Sequence, residues 1–127
     1  MTYPNGYTVT NYYSNGYLKY VRGSDGKVHY AINDMNAFGE VSQARFANGV
    51  STKIGYDSAG FVGMIVSYTD TPLIANVQRV DYTYDALGNV LTRDDSSIDG
   101  HYIGERFTYD AMNRLTSFRV DTGIGVR

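Results

Sequence analysis

Short runs of apolar and aromatic residues alternate with turn signals along the whole chain, as in Tyr7-Thr8-Val9-Thr10 and Val80-Asp81-Tyr82-Thr83-Tyr84. β-Branched and aromatic residues suit a pleated, half-buried strand. Between the runs fall Gly6, Gly16, Gly26, Gly39, Gly49 and Gly60, spaced 10, 10, 13, 10 and 11 residues apart. No window sustains apolar residues at helical spacing, and each glycine would weaken a helix by about 1 kcal/mol. The pattern predicts an all-β chain, an antiparallel meander of nine or ten strands in repeated β-hairpins.

The turns fall into classes. In Asp85-Ala86-Leu87-Gly88 an Asp opens and a Gly closes a four-residue turn. Asp can accept a backbone N–H two residues on, and Gly enters positive φ without a Cβ clash, so a three-residue hairpin loop with a bulge is expected. The frame recurs as Asn36 to Gly39, Asp57 to Gly60 and Asp110 to Asn113, where Asn113 takes the glycine's place. Tyr13-Ser14-Asn15-Gly16 keeps the glycine without the Asp, and Tyr3-Pro4-Asn5-Gly6 and Phe46-Ala47-Asn48-Gly49 form an Asn-Gly class. Aligned on these turns, the chain shows an internal repeat: aromatic or Met, Asp/Asn, two residues, Gly/Asn, one residue, then Val/Leu. The copies run Tyr12 to Leu18, Met35 to Val41, Tyr56 to Val62, Tyr84 to Val90 and Tyr109 to Leu115. Their closing positions lie 23, 21, 28 and 25 residues apart, which is one hairpin per copy.

Composition narrows the function classes. At 127 residues the chain has the length of one domain. A balance of 11 Lys+Arg against 13 Asp+Glu argues against non-specific nucleic-acid binding. Cysteine is absent, so neither disulfides nor thiolate metal ligands arise. No stretch reaches the roughly 18 apolar residues of a helical membrane span. Met1 to Thr10 has neither the basic nor the apolar region of a signal peptide.

The segments Gly104 to Leu115 and Arg79 to Leu91 resemble the YD repeat (Rhs repeat), which runs approximately Gly…Arg-Tyr-x-Tyr-Asp-x-x-Gly-Arg-Leu. Asn36 to Val41, Phe46 to Val50 and Tyr56-Asp57 are similar to a variant of it. Departures are Tyr13 for Asp, Met35 for Tyr and Asn113 for Gly. The resemblance covers nearly the whole chain. It implies a structural segment of a very large secreted or cell-surface protein whose hairpins wind into a hollow shell. In bacterial Rhs, toxin-complex and polymorphic toxins such a shell encloses a toxic segment, and in teneurins it serves adhesion. The self-cleaving Asp-Pro motif of that family has no counterpart here, so no enzymatic activity is carried over.

Candidate sites are weighed against this scaffold role. Tyr82 and Tyr84, and Phe107 and Tyr109, are two apart, so each pair lies on one face of its strand. Adjacent repeats would align them as an aromatic ladder, and the alternative is a glycan-binding or adhesive platform of exposed tyrosines. The acidic loop Asp94 to Gly100 matches the early positions of a calcium loop but carries Arg106 where the bidentate Glu belongs, so no metal is assigned. His29 and His101 alone cannot make a zinc site. Gly23 to Gly26 and Gly123 to Gly125 start no helix and offer no phosphate cradle. No cofactor or catalytic residue is expected. Arg79, Arg93, Arg106, Arg114 and Arg119 are expected to pair with the Asp turns. The first turn, Tyr3 to Gly6, leaves its hairpin one arm, so two unpaired sheet edges are expected, open to neighbouring repeats or to an edge-to-edge homo-oligomer.

Overall fold

A computed structural model describes residues 1–69, 77–96 and 100–124. Among these residues the chain forms ten strands and no α-helix. They are β1 (Val9–Ser14), β2 (Tyr17–Gly23), β3 (Val28–Met35), β4 (Val41–Phe46) and β5 (Val50–Tyr56), followed by β6 (Val62–Thr69), β7 (Gln78–Tyr84), β8 (Val90–Asp95), β9 (His101–Tyr109) and β10 (Leu115–Ile124). Each strand pairs only with its sequence neighbours, giving one antiparallel sheet in the order β1 to β10. The sheet is the predicted meander.

Alternation along the paired strands sorts side chains onto two faces. One face carries Tyr30 opposite Phe46, Ile32 opposite Ala44, Ile54 opposite Ile65 and Phe107 opposite Phe118. The other carries Gln43 opposite Lys53, Asp81 opposite Asp94 and Arg106 opposite Arg119. Among the described residues Ile32, Ala44 and Val80 are the buried apolar side chains, and all three lie on the first face. A single sheet has no second layer to bury this face, so its apolar residues stay half-covered.

The charged face balances its like-charged neighbours with ion pairs. Asp81 binds Arg79 at 2.9 Å, Asp94 binds Arg106, and Asp121 binds Arg119 at 2.8 Å. On the apolar face Arg93 binds Glu105 at 2.7 Å. Of the five arginines expected to reach turn carboxylates, only Arg114 does so, binding Asp110 at 2.8 Å. The others sit mid-strand, where the nearest carboxylates are on their own or the adjacent strand rather than at the sheet's rim.

The turns depart from expectation twice. Asn15 and Gly16 both have positive φ, 51° and 82°, which makes a two-residue loop of the type that Asn-Gly favours. Tyr13 pairs with Leu18, so Tyr13, not Tyr12, occupies the repeat's aromatic position in this copy. Tyr12 instead stacks on Tyr20 across the other face, with ring centroids 4.5 Å apart. The first copy is thus one loop residue shorter, which the alignment on Gly16 conceals. Nor is the first turn one-armed: Thr2 bridges Thr8, and the Val9 N–H donates to the Met1 carbonyl at 2.8 Å. The outer edge is therefore covered along Tyr7 to Val9, where the chain leads into β1.

Gly88 shows why a turn closes on glycine. Its φ is +86°, and an added Cβ would stand 3.0 Å from the Phe61 ring. Gly60 has φ +89° and open space around it. Gly60→Ala is expected to cost about 1–2 kcal/mol from the left-handed backbone alone, and Gly88→Ala more, because Phe61 must move. Urea denaturation of the two variants checks this; equal losses would show that the Phe61 contact is without weight.

Candidate functional site

At one end of the strands the turns before β2, β4, β6, β8 and β10 lie side by side. Asp85 organises its turn by accepting the N–H groups of Leu87 and Asn89 at 2.9 Å each, while its other oxygen takes the Asn89 amide at 2.8 Å. Asn36, Asp57 and Asp110 accept the same two backbone N–H groups in their own turns. Gly39, Gly60 and Gly88 have φ of 82°, 89° and 86°, and Asn113 follows them at 60°.

In each turn the Asp or Asn N–H donates to the residue just after the closing position: Asn36 to Glu40, Asp57 to Phe61, Asp85 to Asn89 and Asp110 to Arg114. Successive carbonyls of a strand point to opposite sides. The next carbonyl, of Val41, Val62 or Val90, therefore points away from its own hairpin towards the following one. The ladder between hairpins has stopped short of it, with end pairs Gln43 with Lys53, Met64 with Asp81 and Thr92 with Arg106. The tyrosine ending the next hairpin's first strand supplies the missing donor. Tyr56 donates to the Val41 carbonyl at 2.8 Å, Tyr84 to Val62 at 2.7 Å and Tyr109 to Val90 at 2.8 Å.

A second contact reinforces this joint. The residue after a closing glycine reaches the next turn: Tyr17 lies against Gly39, Phe61 against Gly88, and the Asn89 amide donates to the Asn113 side-chain oxygen at 3.1 Å. The Phe61 ring also touches Tyr84, centroids 5.0 Å apart. Burial pushes the Tyr84 phenol up, with the neighbouring Tyr82 and Asp57 adding to it. Burial likewise raises Tyr56, with Glu40 contributing.

The four aromatic candidates divide between packing and linkage. Tyr82 stacks beside Tyr84 with centroids 6.5 Å apart. Phe107 and Tyr109 are half-buried on the same sheet face. The expected ladder does not form between the two pairs, because β8 lies between β7 and β9 and two strand spacings separate rings by about 10 Å. Repeats connect instead through hydroxyl and carbonyl. Tyr56, Tyr17 and Phe61 were not among the candidates, although their places beside the opening and closing turn residues mark them in the repeat.

Elsewhere, Asp94 and Asp95 of the acidic loop are engaged by Arg106 and Arg93, while Ser97 and Asp99 lie outside the described residues. The Tyr102 hydroxyl donates to Asp94 at 2.7 Å, and its ring covers Gly104, where a Cβ would clash. A concavity of about 630 Å³ includes Tyr3, Tyr7, Val21 and His29 in its lining. In it Tyr7 donates to Asp25 at 3.0 Å, and its oxygen lies 2.6 Å from His29 Nε2. His101 is exposed, and Gly125 lies outside the described residues.

Tyr84→Phe and Tyr109→Phe are each expected to lower stability by about 1–3 kcal/mol, because the half-buried carbonyl left behind loses its donor. Tyr13→Phe, at an exposed position, should stay within about 0.5 kcal/mol; equal effects from all three would remove the joint. Acid should also loosen the turns. Hydrogen bonds from Asn89 hold Asp85 below the usual carboxylate range, and those from the Arg114 backbone and side chain hold Asp110 there. Burial opposes ionisation of Asp94, but Arg106 and Tyr102 outweigh it. Folded values below the unfolded one give stability that is present above about pH 4 and lost as pH falls through the folded values. Urea midpoints between pH 7 and pH 2 should fall in that window, less steeply in Asp85→Asn and Asp110→Asn.

No family model and no curated protein matches this chain. Among solved structures, its fold is similar to part of a Tc holotoxin pore from Photorhabdus luminescens, in a TccC3 mutant form. The TM-score is 0.66 at 15% identity, over 95% of this chain and 8% of that one. This chain thus spans less than a tenth of the length of that neighbour, and what the two share is the fold.

Proposed function

We propose that this chain is a structural YD-type repeat segment, forming part of the wall of a hollow shell in a large secreted or surface-exposed toxin-related protein. The observation that carries this reading is the joint between hairpins. The same hydroxyl-to-carbonyl link recurs at Val41, Val62 and Val90, so the second, third and fourth hairpins each present the acceptor that the next one uses, while β3 ends in Met35 and brings no hydroxyl to the first. Such a rule extends a sheet hairpin by hairpin, which is what a wall requires. The fold similarity to part of a Tc holotoxin pore supports it.

In this reading the segment has no catalytic role, and its partners are the neighbouring repeats of its parent protein. An adhesive or glycan-binding surface is the weaker reading, because the Tyr84 and Tyr109 hydroxyls already serve backbone carbonyls. Electron cryo-microscopy of the full natural reading frame tests the proposal. A hollow shell with β1 and β10 each continued by a further strand is expected. A solid or extended particle with both edges facing solvent would overturn it.

A further inference from the structure

We infer that the outer edge of β10 is a docking edge for a hairpin whose first strand ends in tyrosine, with the Leu115 carbonyl as the acceptor of its hydroxyl. The inference rests on the wall reading and names the partner at this edge.

The last hairpin reproduces the local structure of the three internal acceptors. The Asp110 N–H donates to the Arg114 carbonyl at 2.9 Å, as Asp57 does to Phe61 and Asp85 to Asn89. The pairing shifts by one residue between Leu115 and Ser117, as it does beside Val62 and Val90. By the same alternation the Leu115 carbonyl points away from β9, to the outside of the sheet. Beside it stand Leu115, Phe118 and Val120, 55%, 66% and 46% exposed, on the face that is covered elsewhere in the sheet. Edge backbone, an oriented carbonyl and an apolar stripe thus coincide.

A second copy of this chain does not fill the place. Its Tyr13 has the donor's position, but Met1 to Tyr3 already occupy the outer edge at Tyr7 to Val9, leading into β1. The occupant is a hairpin whose first strand is free along its length, as β9 is before β8 pairs with it.

The chain can be given such a hairpin by appending a copy of its own residues 101–124 after Arg127. Tyr56, Tyr84 and Tyr109 stand 15, 22 and 19 residues beyond Val41, Val62 and Val90, and the appended tyrosine would stand 21 beyond Leu115. Amide hydrogen exchange then reads the edge. The Phe118, Val120 and Thr122 amides are expected to exchange at least about tenfold more slowly in the extended chain. Replacing the appended tyrosine with phenylalanine should return about three- to tenfold of that protection. Protection that is indifferent to the phenylalanine would overturn the Leu115 acceptor and leave the wall reading intact. If the appended hairpin gives no protection while amides of β3 to β6 remain protected, both fall.

Discussion

A sheet that grows by hairpins must join each hairpin to the next, and there the backbone leaves a problem. The three-residue turns end in a bulge, so the first strand residue after each turn aims its carbonyl at a neighbour whose ladder has already ended. A backbone acceptor without a donor in a half-buried place costs more than one hydrogen bond returns. Tyr56, Tyr84 and Tyr109 answer this with a rigid ring long enough to span the gap and one hydroxyl to close it. The need for glycine or asparagine at the turn's close follows from the positive φ there, and at Gly39 and Gly88 a ring from the preceding turn adds to it.

The two faces follow from the single layer. With no opposing sheet, apolar side chains on one face shield one another laterally, and few are fully buried. The opposite face meets water and can carry charge, provided that like charges set opposite each other by the register find counter-ions. Asp81 and Asp94 face each other, as do Arg106 and Arg119, and each has a partner within its own strand or on the diagonal. Exposed pairs of this kind add little stability. Their larger effect is on register, since a slip of one residue would put the carboxylates and guanidiniums on the apolar face.

Much of this organisation is legible from the amino acids. Glycine spacing, the Asp-x-x-Gly frames and β-branched runs specify strands, turns and their order, because turn chemistry and strand preference are local properties of a few consecutive residues. Asn113 can be recognised as a glycine substitute on the same grounds. The tertiary structure decided what depends on distances between repeats. It showed that Tyr13 rather than Tyr12 fills the aromatic place, since one missing loop residue changes a register that only pairing reveals. It placed Arg79, Arg93, Arg106 and Arg119 on strand carboxylates and left only Arg114 on a turn carboxylate. It also turned the supposed aromatic ladder into hydroxyl-to-carbonyl links, because the intervening strand sets ring separation and the bulge sets carbonyl direction. Neither of those quantities is written in any short stretch of sequence.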